Sequence, residues 1–170
     1  MKASSGRHKR ISRKPRTHRV LLVSTDPSDY AMLSHILDGD QWTVRRTPSC
    51  RQAAISIHEL PPAVVICQTR LPDGSWRSLL RDVLETDVPP RLIVLSRVVD
   101  DALWAEVLNL GGYDVLPRPL DPKEVSYVIS MALRHRIHGP VASKRPVLTR
   151  LNEAADRVDP KAAVRQTEDL

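Results

Sequence analysis

Short runs of consecutive apolar residues alternate along the chain with segments whose apolar positions recur every three to four residues. The runs fit strands buried on both faces and the periodic segments fit helices with one apolar stripe, so strict alternation predicts βαβ units on a parallel sheet. Predicted strands cover residues 20–23, 42–47, 63–67, 92–95 and 113–116. The first helix opens at Asp26-Pro27, an N-cap followed by proline at the first helical position, and runs to residue 38 before Gly39. Its sheet-facing positions are Ala31, Leu33, Ile36 and Leu37.

The second helix is capped by Ser49, bears Ala53, Ala54, Ile57 and Leu60, and stops at Pro61-Pro62. The turn Leu71-Pro72-Asp73-Gly74 leads into a third, with Trp76, Leu79, Leu80, Val83 and Leu84 inward, that ends before Pro89-Pro90. A fourth starts at Asp100, turns Leu103, Val107, Leu108 and Leu110 inward, and ends at Gly111-Gly112. The last opens with Asp121-Pro122-Lys123-Glu124, a capping box, and continues through Val125, Val128, Ile129 and Leu133 to residue 137. With right-handed crossovers, five such strand-helix pairs predict a doubly wound α/β sheet covered by helices on both faces.

Charge divides the chain further. Lys2, Arg7, Lys9, Arg10, Arg13, Lys14, Arg16 and Arg19 all precede the first acidic residue, Asp26, in a stretch with no apolar periodicity. Residues 20–133 then hold 10 Lys/Arg against 15 Asp/Glu, and Arg134, Arg136, Lys144, Arg145 and Arg150 follow. The predicted organisation is a basic disordered arm over 1–18, an acidic domain over 19–138, and a basic then mixed-charge tail over 139–170. A weak amphipathic stretch at 148–158 leaves a short helix or a flexible tail open. The apolar runs are too short for a signal-peptide core or a membrane span, which places the expected protein in the cytoplasm. Cys50 and Cys67 have no metal-ligand or disulfide-framework spacing and read as reduced thiols, Cys67 in the core.

From Arg19 to His138 the order of motifs resembles the receiver domain of two-component response regulators. The stretch Val20-Leu21-Leu22-Val23-Ser24-Thr25-Asp26 is similar to that family's first strand, with Ser24 and Thr25 in the places of its acidic pair. Ala63-Val64-Val65-Ile66-Cys67-Gln68, with Leu71-Pro72-Asp73-Gly74 behind it, resembles the phosphoacceptor strand and its loop; Gln68 stands where the aspartate would be. Ser96 keeps the hydroxyl that ends the fourth strand, and Arg118-Pro119 resembles the Lys-Pro pair after the fifth. The resemblance implies a flavodoxin-like fold with five parallel strands in the order 2-1-3-4-5.

Receiver chemistry needs a carboxylate nucleophile, an acidic cluster for Mg²⁺ and a cation to steady the phosphoryl group. Carried onto this sequence, those roles fall on Ser24, Thr25, Asp26, Gln68, Ser96, Arg118 and Pro119, a degenerate pocket whose neutral amide cannot form an acyl phosphate. Arg118 is free to pair with Asp26, to hold an anion, or to stay solvated. No catalytic residue, metal or cofactor is expected; His35 and His58 fall on helices, away from any nucleophile.

The expected role is therefore that of a stand-alone pseudo-receiver, signalling by protein–protein interaction. The resemblance implies a histidine kinase, another regulator or a second copy as partner, met on a face holding Trp104, Asn109, Lys123 and Tyr127, with Trp104 equally able to pack inward. In the alternative, the arm residues Arg7, Lys9, Arg10, Arg13, Lys14, Arg16 and Arg19 bind nucleic acid or an anionic surface. Without aromatic residues for stacking, such binding would be unspecific.

Overall fold

A computed structural model of the chain describes residues 17–39 and 41–138. Strand β1 (His18–Val23) leads into α1 (Pro27–Ile36), β2 (Trp42–Thr47), α2 (Cys50–Glu59) and β3 (Val64–Gln68). Two short strands, β4 (Arg70–Leu71) and β5 (Gly74–Ser75), pair antiparallel around Pro72-Asp73 ahead of α3 (Trp76–Leu84). The chain then continues through β6 (Arg91–Ser96), α4 (Asp101–Asn109), β7 (Asp114–Pro117) and α5 (Pro122–His138). The main sheet is parallel in the order β2-β1-β3-β6-β7. This is the expected topology, with β6 and β7 as the fourth and fifth strands once the small hairpin is counted.

Alternation along each strand sorts the core into two layers. Leu21, Val23, Val65, Cys67, Leu92, Val94 and Val115 pack with Ile57, Leu79, Val83 and Val107 of α2, α3 and α4. Val20, Leu22, Val64, Ile66, Ile93, Leu95 and Leu116 pack on the other side with Leu33 of α1 and Val125, Val128 and Ile129 of α5. Helix starts behave as the caps predict: Ser28 N–H donates to Asp26 Oδ1 (2.9 Å), Gln52 N–H to Ser49 Oγ (3.2 Å), Leu103 N–H to Asp100 Oδ1 (2.7 Å) and Glu124 N–H to Asp121 Oδ1 (2.9 Å).

Four residues expected to face inward do not. Leu60, Leu84 and Leu110 sit at or past the last helical turn, where the chain leaves the sheet, and are exposed. Ala31 is exposed because it lies two residues, about 200° of helix rotation, from buried Leu33. The residue that shares Leu33's face one turn earlier is Asp29, and it is buried.

Gly111 and Gly112 make the turn between α4 and β7. Gly111 adopts φ +98°, and a Cβ on Gly112 would stand 2.6 Å from Val107 Cγ1 and 2.9 Å from the Val107 carbonyl oxygen. The backbone carbonyl cannot yield without moving the last turn of α4. Gly112→Ala is expected to lower the unfolding free energy by about 1–3 kcal/mol. Urea titration followed by circular dichroism reads it, and an unchanged midpoint would contradict the packing described.

Candidate functional site

Right-handed parallel topology gathers the strand ends Ser24, Gln68, Ser96 and Arg118 at the carboxyl edge of the sheet, where ligands of open α/β folds bind. Ser24 and Gln68 are buried there, and Arg118 reaches them from just beyond β7. Its guanidinium forms a buried ion pair with Asp29, whose side chain is only 7% exposed. Ser24 Oγ donates to the same Asp29 carboxylate oxygen at 2.5 Å.

Ser24 has one hydroxyl proton, and with it given to Asp29 its oxygen accepts from Asp26 N–H (3.1 Å) and Arg118 Nη2 (3.3 Å). Gln68 Oε1 accepts from Thr25 N–H (3.2 Å) and Arg118 Nη2 (3.4 Å). Gln68 Nε2 donates to Thr25 Oγ1 (3.2 Å) and to the Arg70 carbonyl oxygen. A flipped amide would set donor against donor at Thr25 and acceptor against acceptor at Arg70, so the network selects this orientation. Arg46 Nη1 closes the rim on the carbonyl oxygens of Ser24 and Thr25 (3.3 and 3.4 Å).

This arrangement corrects two expectations. Arg118 pairs with Asp29 rather than with Asp26, because Asp26 is occupied as the cap of α1, accepting from Ser28 Oγ (2.7 Å) and Ser28 N–H. Those two bonds, the side-chain one foremost, hold the Asp26 carboxyl below the usual range. Ser96 does not turn into the network either. Its hydroxyl donates to the Val98 carbonyl oxygen (2.6 Å) and accepts from Val98 N–H (3.3 Å), so only its own carbonyl meets Arg118 N–H, at 2.8 Å. Pro119 follows Arg118 through a cis peptide bond and is exposed.

Asp29 was missed by sequence reasoning. The signal was its place four residues before Leu33, on the buried stripe of α1, where a carboxylate in the first turn also meets the positive end of the helix dipole.

A divalent cation does not fit this donor set. The Arg118 guanidinium touches the Ser24 hydroxyl and Gln68 amide oxygens, and Asp29 is taken up by that same guanidinium. Among the described residues no three His, Cys, Asp or Glu side chains cluster as metal ligands.

Below the network, the hairpin around Pro72-Asp73 has a structural task. Arg51 and Cys50 N–H groups donate to the Asp73 carboxylate (2.9 and 2.8 Å), capping α2 from outside and holding the Asp73 carboxyl low. Both thiols are buried, and burial pushes each of them up, Cys67 most.

The expected interaction face is divided. Trp104 is half-buried against the core and donates from Nε1 to Asp114 Oδ1 (3.1 Å), which favours its packing role. Asn109, Lys123 and Tyr127 are exposed, but Asn109 ends α4 whereas Lys123 lies in the first turn of α5, and these two helices cover opposite faces of the sheet. Of the basic arm, Arg7, Lys9, Arg10, Arg13, Lys14 and Arg16 lie outside the described residues. Arg19 belongs to β1, with its guanidinium on the Pro61 carbonyl oxygen (3.0 and 3.3 Å).

No family model matches the chain. The DNA-binding response regulator MtrA of Mycolicibacterium smegmatis is 28% identical over 122 residues, covering 72% of this chain and 53% of its own. The response regulator protein PilR of Pseudomonas aeruginosa is 27% identical over 135 residues, 78% of this chain and 29% of its own. The chain thus spans about half or less of these relatives. A crystal structure assigned to the response regulators of Chloroflexus aurantiacus superposes with a TM-score of 0.65 at 26% identity, over 70% of this chain and 99% of that one.

Breaking the ion pair on one side strands a buried charge. Arg118→Met is expected to cost about 3–5 kcal/mol of unfolding free energy, with most of it recovered in the double variant Asp29→Leu, Arg118→Met. A denaturant double-mutant cycle measures the coupling, and additive losses would refute it. The capping carboxyls Asp26 and Asp73 are depressed in the folded chain, so their stabilisation is present above the unfolded pKa of about 3.9 and is lost as pH falls through the folded one. Asp26→Asn with Asp73→Asn should flatten the acid limb of a melting-temperature profile, and a limb of unchanged steepness would count against both caps.

Proposed function

We propose that this response-regulator receiver domain signals by docking through its folded surface, without phosphoryl transfer at Gln68. The observation that carries the reading is the Arg118–Asp29 pair closed onto Ser24 and Gln68. In a receiver that accepts phosphate, a cation at this place waits for the incoming oxygens. Here one nitrogen of its fork, Nη2, is already engaged by a carboxylate of the same chain.

The chemistry of Gln68 points the same way. A carboxamide oxygen is a weak nucleophile, and this one accepts two hydrogen bonds that withdraw its lone pairs further. The reading makes the domain a binding module rather than an enzyme, with no step through a metal. Docking falls to the exposed part of α5, where Lys123 and Tyr127 combine a charge with an amphipathic ring. The partner class is a protein: a kinase, another regulator or a second copy of this chain.

Incubation with acetyl phosphate and Mg²⁺ followed by intact mass measurement tests the phosphate-independent part. The expected result is no phosphoryl adduct and no change of melting temperature at millimolar metal. A hydroxylamine-labile adduct mapped to Gln68 or to Asp29 would overturn the proposal.

A further inference from the structure

We propose that the opposite, amino edge of the sheet binds the phosphodiester backbone of nucleic acid, with Arg19, Arg45, Arg91 and Arg136 as the contacting cations. This site lies apart from the degenerate pocket and does not depend on the reading given to it.

The starts of β1 and β6 and the return of α5 bring Arg19, Arg91 and Arg136 to this edge, and Arg45 stands in the middle of β2, opposite Leu21. Ala63, at the entry of β3, donates its N–H to the Arg19 carbonyl oxygen (2.8 Å) and accepts from Arg91 N–H (3.1 Å), so Arg19 and Arg91 flank a single residue at the sheet edge. Arg45 shares a shallow cleft with Arg19, Leu60 and Pro62. Arg91 donates to the His135 carbonyl oxygen at the end of α5 (3.0 Å), and Arg136, one residue on, donates to the Val88 carbonyl oxygen (3.3 Å).

Among the described residues the ion pairs are Arg77–Glu106 and Arg118–Asp29; none involves these four arginines, although Glu59, Glu85 and Asp87 are exposed at neighbouring helix ends. The Arg136 guanidinium is held below its ordinary range by burial and then by the positive fields of Arg19 and Arg91. Among the described residues, the buried Nε atoms of Arg91 and Arg136 have no hydrogen-bond partner. Folding therefore holds three half-buried arginines against mutual repulsion, with the forks of Arg19, Arg91 and Arg136 anchored on carbonyl oxygens. An anchored guanidinium loses less entropy on meeting a phosphate than a free one does.

Nucleic acid suits this edge better than a lipid surface. All four cations are arginines, whose planar forks match phosphate oxygens. The first 16 residues, which carry seven further Lys or Arg and join the domain at this edge through β1, contain few apolar side chains to insert into a bilayer. The same scarcity of aromatic residues makes the binding insensitive to sequence.

Fluorescence anisotropy of the full chain against a short, mixed-sequence DNA duplex over a salt series tests the proposal. Each phosphate contact contributes about 0.9 to the slope of log K against log salt, so Arg91→Gln with Arg136→Gln should reduce that slope by about 2 and weaken binding about tenfold. Because those two side chains also tie down backbone, exposed Arg45, whose side chain makes no hydrogen bond among the described residues, supplies the second variant. Arg45→Glu should weaken binding several-fold with the melting temperature unchanged. Full-chain binding that neither variant alters would assign the interaction to the arm alone and overturn the proposal. So would absence of DNA binding, or binding to phosphatidylserine vesicles without binding to DNA.

Discussion

At the carboxyl edge of the sheet a guanidinium and a carboxylate are withdrawn from water together, and the neighbouring groups are arranged to suit them. Asp29 is almost fully covered, and it is tolerable there because Arg118 and the Ser24 hydroxyl both point at the same oxygen. Desolvating either charge alone would cost several kcal/mol, so the pair holds the end of β7, the start of α1 and the tips of β1 and β3 to one geometry. Gln68 completes the arrangement as a neutral group with its oxygen toward donors and its nitrogen toward acceptors.

Charge is balanced within this edge. Clustered carboxylates repel one another and draw in a metal or a proton. With serine, threonine and glutamine in those places, one negative charge from α1 meets one positive charge from beyond β7. The amino edge has the reverse character, since its arginines are anchored through carbonyl oxygens and carry no ion pair among the described residues. The same sheet thus carries an ion-paired guanidinium at one edge and, among the described residues, arginines outside any ion pair at the other.

Relatives at 27–28% identity and a structural neighbour at 26% share the scaffold, because the two-layer core needs only apolar side chains of suitable size alternating along each strand. Chemistry is a separate matter, decided by a handful of side chains at the strand ends. At the strand ends of this chain those side chains bond to one another.

The succession of strands and helices, the caps at Asp26, Ser49, Asp100 and Asp121, and the placing of Ser24, Thr25 and Gln68 at the strand ends were all legible in the sequence. They depend on local rules: periodicity, the needs of unpaired N–H groups at helix starts, and the chemistry of a residue type. What the sequence left open was which partner each strand-end group would take. Asp26 and Asp29 are equally acidic and three residues apart, and only the rotation of α1 against the sheet turns one to the cap and the other to Arg118. Ser96 kept its hydroxyl but turned it to Val98, a choice made by the path of its loop. Arg19, Arg91 and Arg136 are far apart in the chain, and parallel pairing of the strands with the return of α5 is what sets them side by side.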